Sequence, residues 1–358
     1  MVVKVGFGFN DRPTLPTQIK LAPLLEKLGY SSIWIVESRM VRDAVTVASA
    51  MALSTNHIAV GMVVNSWTRG PALLGLTLST LNELAPKRIS VALTDYWQEL
   101  AWKQGIDRAR PTEQLREYVL ALRSILDATR PTTFEGTQVQ IRDLQLDLGR
   151  GVPREVIPVQ IYVVAATIEV SRLAGEIGDG VLLNSLSTTE FSRLAASAVR
   201  AGVARAVGTQ RGRETLQLVS VAMAVDRSDA VRAGQRKAAL YIGQQSHIAA
   251  ASGLSDHRTA EIRDAIGSGP IDDAALDAAA HLVDEDTLNG LMIVGTPDEC
   301  RDAAARWIES GRALPVFVPV TDNSVEIAEV LAPASLGSVL AGRRRHGRVP
   351  DARTARVQ

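Results

Sequence analysis

Hydrophobic positions recur along this chain in two alternating rhythms. Short apolar runs with polar ends occupy residues 32–37, 57–65 and 89–95, and the stretches between them, 43–54 and 71–84, carry apolar residues at helical spacing. Strand followed by helix, repeated, predicts βαβ units and a parallel sheet. The rhythm extends in both directions. Residues 2–10 read as a first strand, and a helix over 17–28 opens after Pro13 and Pro16 and closes at Gly29. Downstream, 158–165, 180–184, 216–226 and 314–320 read as strands, and 111–128, 167–177, 191–207, 297–310 and about 324–331 as helices. Two segments break the pattern. Residues 130–143 predict a β-hairpin turning at Glu135–Gly136, and 230–290 a long, mainly helical stretch. Eight strands in this order predict an α/β fold of the (β/α)8 TIM-barrel type, with a helical insertion after the seventh strand. A doubly wound open sheet is the alternative, but it should show a glycine-rich turn after its first strand, and GFGFNDRP lacks GxGxxG spacing. A single domain over 1–340 is expected, followed by a flexible basic tail at 341–358.

Composition narrows the function more than the fold. Basic and acidic residues balance at 39 each, so no bulk field draws the chain to nucleic acid or to an anionic membrane. No run of about 18 apolar residues marks a membrane span, and the first residues, MVVKVGFGFNDRP, lack the pattern of a secretory signal. A cytoplasmic protein acting on a small molecule is expected, without nucleic-acid or membrane partners. The single cysteine, Cys300, excludes an internal disulfide and a multi-thiolate metal site. The five histidines include no pair at i, i+4 spacing, so no metal site is expected.

The chemistry is expected at the C-terminal ends of the strands, where barrels build their sites. Glu37 and Asp95 end different strands and face one another across the predicted mouth. A reduction delivers a hydride to one atom and a proton to its neighbour, and a carboxylic acid with a raised pKa can supply the proton. Equally, each carboxylate can cap a helix or pair with Arg39, Arg42 or Arg69. Ala165, Ala166 and Thr167 lead from strand into helix, where free N–H groups and the Thr167 hydroxyl suit a phosphate, or where Thr167 is simply an N-cap. Asn65 either bonds a heteroaromatic ring or satisfies the bend after its strand. Trp67, Tyr96, Trp97 and Trp102 either line a substrate mouth or pack beneath the polar excursion at 96–110. His247, within the helical insertion, either reaches the mouth as a substrate ligand or lies on a helix surface.

Five segments, in order, resemble the bacterial luciferase-like superfamily, above all its deazaflavin (F420)-dependent branch, which includes methylenetetrahydromethanopterin reductase. They are WIVESRMVRDAV, VGMVVNSWTRGP, LSTLNELAPKRISVALTD, IPVQIYVVAAT with SRLAGEIGDGVLLN, and VGTPDECRDAAARWIESG. The resemblance implies a barrel enzyme, expected as a homodimer, that uses coenzyme F420, with FMN as the alternative. The implied cofactor contacts are Ser38, Met62, Val63, Val64, Asn65, Thr94, Ala165, Ala166 and Thr167; Trp67, Tyr96, Trp97 and His247, read from the residues alone, are the candidates toward the substrate. Hydride transfer from reduced F420 to a small organic substrate is the expected activity. An FMN-dependent monooxygenase is the second reading, and a barrel that has lost redox activity and acts as a scaffold is the third. The chain departs from the family pattern at Glu37–Ser38, where Asp-His is common, and at Ser66, where proline is common. It departs again at Ser90, Ala92 and Thr94, where the family carries glycines.

Overall fold

The computed structural model describes residues 3–9, 13–37, 40–95, 97–149, 152–206, 214–267, 272–311 and 313–346. The first four βα steps run β1 (Gly6–Phe9), α1 (Leu15–Leu28), β2 (Ser32–Val36), α2 (Ala44–Ser54), β3 (Ala59–Asn65), α3 (Pro71–Leu84) and β4 (Ile89–Thr94). After β4 come the short α4 (Gln98–Lys103), α5 (Pro111–Leu126) and a hairpin of β5 (Thr132–Glu135) and β6 (Gln140–Leu144). The alternation resumes with β7 (Gln160–Ala165), α6 (Ile168–Ile177), β8 (Gly180–Leu183), α7 (Thr189–Val203) and β9 (Glu214–Met223). Five helices follow: α8 (Arg227–Gln244), α9 (Ser246–Ala251), α10 (Asp256–Ile266), α11 (Asp273–Ala280) and α12 (Glu285–Leu291). The chain ends with β10 (Ile293–Gly295), α13 (Pro297–Glu309), β11 (Leu314–Pro319), α14 (Ser324–Val330) and α15 (Pro333–His346).

Eight parallel strands close in the order β1-β2-β3-β4-β7-β8-β9-β11, with β11 returning to pair with β1 through Gly6 and Val316. The expected (β/α)8 barrel is therefore the fold. β10 is an extra short strand alongside the end of β9, which the sequence pattern does not reveal. The hairpin lies where expected, but its turn spans 136–139, one residue later than read. The turn is fixed by Glu117 of α5, whose carboxylate accepts the N–H groups of Thr137, Gln138 and Val139 at 2.7–2.9 Å. α15 runs past residue 341, where a flexible tail was expected, and 347–358 lie outside the described residues. By length and composition Ser324–Arg343 matches a membrane-crossing helix. Here it is broken before Pro333, and Ile327, Leu331, Leu336 and Leu340 are buried in the core.

Both faces of each barrel strand are buried, and the pleat decides which side chain goes where. On β3, Val60, Met62 and Val64 join the layer between strands and helices, whereas Val63 points into the barrel. On β2, Ile33 and Ile35 face out and Trp34 faces in. Trp34 meets Tyr162 of β7 edge-to-face inside the barrel, ring centroids 5.3 Å apart. Glycine makes room for both: a Cβ at Gly61 would lie 2.5 Å from the Trp34 ring, and one at Gly180 2.3 Å from Tyr162. Gly61→Val is accordingly expected to destabilise the fold by about 1–3 kcal/mol through overpacking, read as a lower urea midpoint. The insertion carries its own cluster, including Ala238, Ile242, Ile262 and Leu288, continuous with Ala222 of β9 and Val294 of β10. That continuity seats it over one side of the barrel mouth.

Candidate active site

At the C-terminal ends of the strands lies a cavity of about 1000 Å³. Its floor is apolar and built from inward-facing strand residues, Val36, Val63, Val164, Leu218 and Val318. Its walls come from α4 on one side and from the α8–α9 junction of the insertion on the other, including Trp97, Trp102, Tyr241, Gln244 and His247.

Asp95 follows β4 and opens into the cavity. Arg108, returning from the excursion after α4, holds it twice: Nη2 donates to Oδ2 at 2.7 Å and Nε to the Asp95 carbonyl at 2.7 Å. The Trp67 indole donates to that same carbonyl at 3.1 Å. Burial raises the Asp95 carboxyl above the usual carboxylate range, and Arg108 offsets only part of the rise. Glu37 follows β2, its N–H donating to the Val63 carbonyl at 3.1 Å. Its carboxylate accepts Arg69 Nη1 at 3.0 Å, while Arg69 Nη2 bonds Asp43, the N-cap of α2. Burial raises Glu37 as well; Arg69 works against the shift and Asp43 adds to it. Both carboxylates expected as proton donors are therefore in the cavity, and each has an arginine partner.

The remaining predicted residues divide. Val63, Thr94, Trp97, Ala166, Thr167 and His247 line the cavity. Met62, Val64 and Ala165 do not; their side chains point to the helix layer because the pleat turns alternate residues outward. Asn65 is buried in a turn of its own, its Oδ1 accepting the N–H groups of Trp67 and Thr68 at 3.0 and 2.8 Å, so it satisfies the bend instead of facing the cavity. Trp67 supports Asp95 from behind and does not line the cavity. Ser38 and Tyr96 lie outside the described residues. Thr167 caps α6, its hydroxyl accepting the Val170 N–H at 3.2 Å, while Thr167 and Ala166 border the cavity at that helix start. Ser90 and Ala92, where the family pattern has glycines, fall within the barrel below the mouth, where both are buried, and only Thr94 puts its side chain into the cavity itself.

Arg108, Asn184 and Gln244 are cavity residues that the sequence reading missed. Asn184 ends β8 as a polar residue and carried the same signal as Glu37. Arg108 carried none, because only the fold of the excursion returns it to Asp95. Asn184 Nδ2 lies 3.2 Å from His247 Nε2, and its Oδ1 accepts the Ser185 N–H at 2.8 Å. Burial, reinforced by the charge of Arg108, pushes the His247 imidazole down to about 4.

A closed parallel barrel with its cavity at the C-terminal mouth, walled by a helical insertion and edged by half-buried carboxylates, defines an enzyme of the TIM-barrel class. The model of the luciferase-like monooxygenase family matches residues 5–313, and the chain belongs to that family of oxidoreductases. A 5,10-methylenetetrahydromethanopterin reductase of Methanolobus tindarius is 27% identical over 310 residues, covering 85% of this chain and 91% of the relative. The structure of coenzyme F420-dependent tetrahydromethanopterin reductase from Methanopyrus kandleri superposes with a TM-score of 0.77 at 20% identity, over 94% of this chain and 100% of that one. An F420-dependent secondary alcohol dehydrogenase in complex with an F420-acetone adduct gives 0.72 at 17% identity, over 93% and 99%.

Proposed function

We propose that the protein uses coenzyme F420 to reduce a C=C, C=N or C=O bond of a small organic substrate held at the barrel mouth. The observation that carries this reading is the pairing of the family membership with two half-buried carboxylates of raised pKa in one cavity. An F420-dependent dehydrogenase among the relatives and two F420-dependent enzymes among the solved structures support F420, and a riboflavin lyase with modified FMN keeps FMN as the alternative.

The cavity fits such a cofactor. Its volume is that of a cofactor site, and its floor is apolar enough to receive a flat ring. Gln244 brings a buried carboxamide oxygen with no hydrogen-bond partner among the described residues, an acceptor suited to a ring N–H. Val63, Thr94, Ala166 and Thr167 would hold the group, and when bound, reduced F420 supplies a hydride.

The chain's own residues supply the rest. Asp95 holds a proton on its carboxyl for the substrate atom next to the one reduced. Arg108 orients that carboxyl, and its opposing effect keeps the group able to ionise and be recharged. The apolar floor lowers the local dielectric beneath the substrate. Glu37 is gripped by Arg69, which also holds Asp43, and is a second proton source two strands from Asp95 around the mouth, not facing it across the barrel as the sequence suggests.

Fluorescence titration of the purified protein with F420 and, separately, with FMN tests the assignment. Saturable micromolar binding of F420 with none of FMN is expected. Binding of FMN alone would replace this reading with a flavin monooxygenase, and binding of neither with a barrel that has lost redox chemistry.

A further inference from the structure

The contact between Asn184 and His247 carries information about the substrate. Asn184 closes β8, and His247 belongs to α9 of the insertion. The segment after β8 is tied to α9 a second time by the N–H of Thr188, the N-cap of α7, donating to the Ala251 carbonyl at 3.1 Å. The Asn184 side chain has a defined orientation, because its oxygen accepts the Ser185 N–H at 2.8 Å and an amide nitrogen cannot do so. Nδ2 is therefore the atom 3.2 Å from His247 Nε2, and it is a donor. A nitrogen that accepts from Nδ2–H carries a lone pair, which puts the proton of a neutral imidazole on Nδ1. Nδ1 has no hydrogen-bond partner among the described residues, and His247 lines the cavity. Around the barrel β8 lies four strands from β2, so this pair stands across the mouth from Glu37, with Asp95 of the β4 end midway between.

We propose that Asn184 is a positioning residue that fixes His247 as the Nδ1–H tautomer, and that this N–H is a neutral donor to a carbonyl oxygen of the substrate. The inference rests on the cavity being a substrate site. It narrows the bond types above to a ketone, or to a C=C or C=N bond conjugated with a carbonyl that His247 polarises. Burial together with the nearby Arg108 keeps the ring uncharged at neutral pH, so His247 is a donor and not a counter-ion. A substrate that is anionic at this point gains no charge pair from it.

The test uses cofactor-free protein carrying 15N-histidine, with the His247 signals assigned by loss in His247→Gln. Two-bond 1H–15N correlation is expected to show Nδ1 protonated and Nε2 bare in the wild type. Asn184→Asp presents a carboxylate that only accepts, and is expected to reverse the tautomer. Cyclohexanone, a probe whose only polar atom is a carbonyl oxygen, should shift the wild-type Nδ1 signal saturably. It should bind at least tenfold more weakly to Asn184→Asp. If Asn184→Asp does not fold, Asn184→Ala is expected to lose the tautomer preference and the same response. An Nε2–H tautomer or an imidazolium in the wild type would overturn the proposal, as would signals that cyclohexanone leaves unmoved. Because no cofactor is present, a protein that passes this test yet fails to bind F420 loses the cofactor assignment and keeps this one.

Discussion

Replacing Asp95 by asparagine is expected to lower turnover by about 10²–10⁴-fold, the usual contribution of a positioned general acid, while leaving F420 affinity unchanged. Asparagine keeps an oxygen for Arg108 to donate to, so the excursion after α4 stays docked and only the proton is lost. The pH profile separates this role from a structural one. A reaction that needs the protonated carboxyl slows as pH rises through its pKa, and burial places that pKa above the ordinary carboxylate range. Arg108→Gln removes the cation that opposes the rise, so the falling limb is expected to move to higher pH. In Asp95→Asn the limb should vanish, and with Glu37→Gln in place as well, which removes the second raised carboxyl of the cavity, no falling limb should remain. His247 also faces Arg108 but titrates near 4, on the acid side, and does not produce this limb. Stability carries the opposite sign. A carboxyl whose folded pKa is raised stabilises the fold below its unfolded pKa, and that contribution is lost as pH rises through the folded value. Asp95→Asn is therefore expected to unfold at neutral pH with a Tm no lower than wild type. A clear drop in Tm, or a limb that persists in the variant, would assign the proton to another group.

Trp34→Ala is expected to cost about 3–5 kcal/mol, read from urea unfolding, because it removes the largest buried side chain of the barrel interior. Trp34 is 2% exposed, packs edge-to-face on Tyr162 and fills the space that Gly61 leaves open. Its indole N–H donates to the Ser32 hydroxyl at 3.1 Å, a bond that phenylalanine also loses. Trp34→Phe retains most of the ring contact and should cost less than half as much. Equal costs for the two variants would show that the hydrogen bond, not the packing, matters most. The plug lies beneath the cavity floor, so the alanine variant should also loosen the seat under the bound ring.

The barrel was legible in the sequence because its strands and helices alternate with clear punctuation: Pro71 opens α3, Gly29 closes α1, and Asp43 caps α2. The phase within a strand was not. In residues 59–64 every position is apolar or small, since both faces of a barrel strand are buried, so nothing in the text separates Val63, which opens to the cavity, from Met62 and Val64, which do not. Family resemblance carried the whole run, and the pleat selected one residue from it. β10 was missed because three residues are too few to show a period. α4 was hidden inside a polar segment, and with it the return of Arg108 to Asp95. Glu37 and Asp95 were found because a polar residue at the end of an apolar run is visible without knowing what it touches. Burial sets how they behave and their arginines temper it, and of these only Arg69 was among the partners the sequence offered.

Titration of wild-type protein beside a Thr94→Trp variant tests the central claim, that the barrel mouth is an F420 site, most directly. Thr94 borders the cavity at the end of β4, and an indole there occupies the space above the apolar floor. Wild type is expected to quench and saturate with F420 in the micromolar range, and the variant to lose at least tenfold in affinity with its Tm retained. Equal affinity in the two proteins, or no saturation in the wild type, would contradict the account.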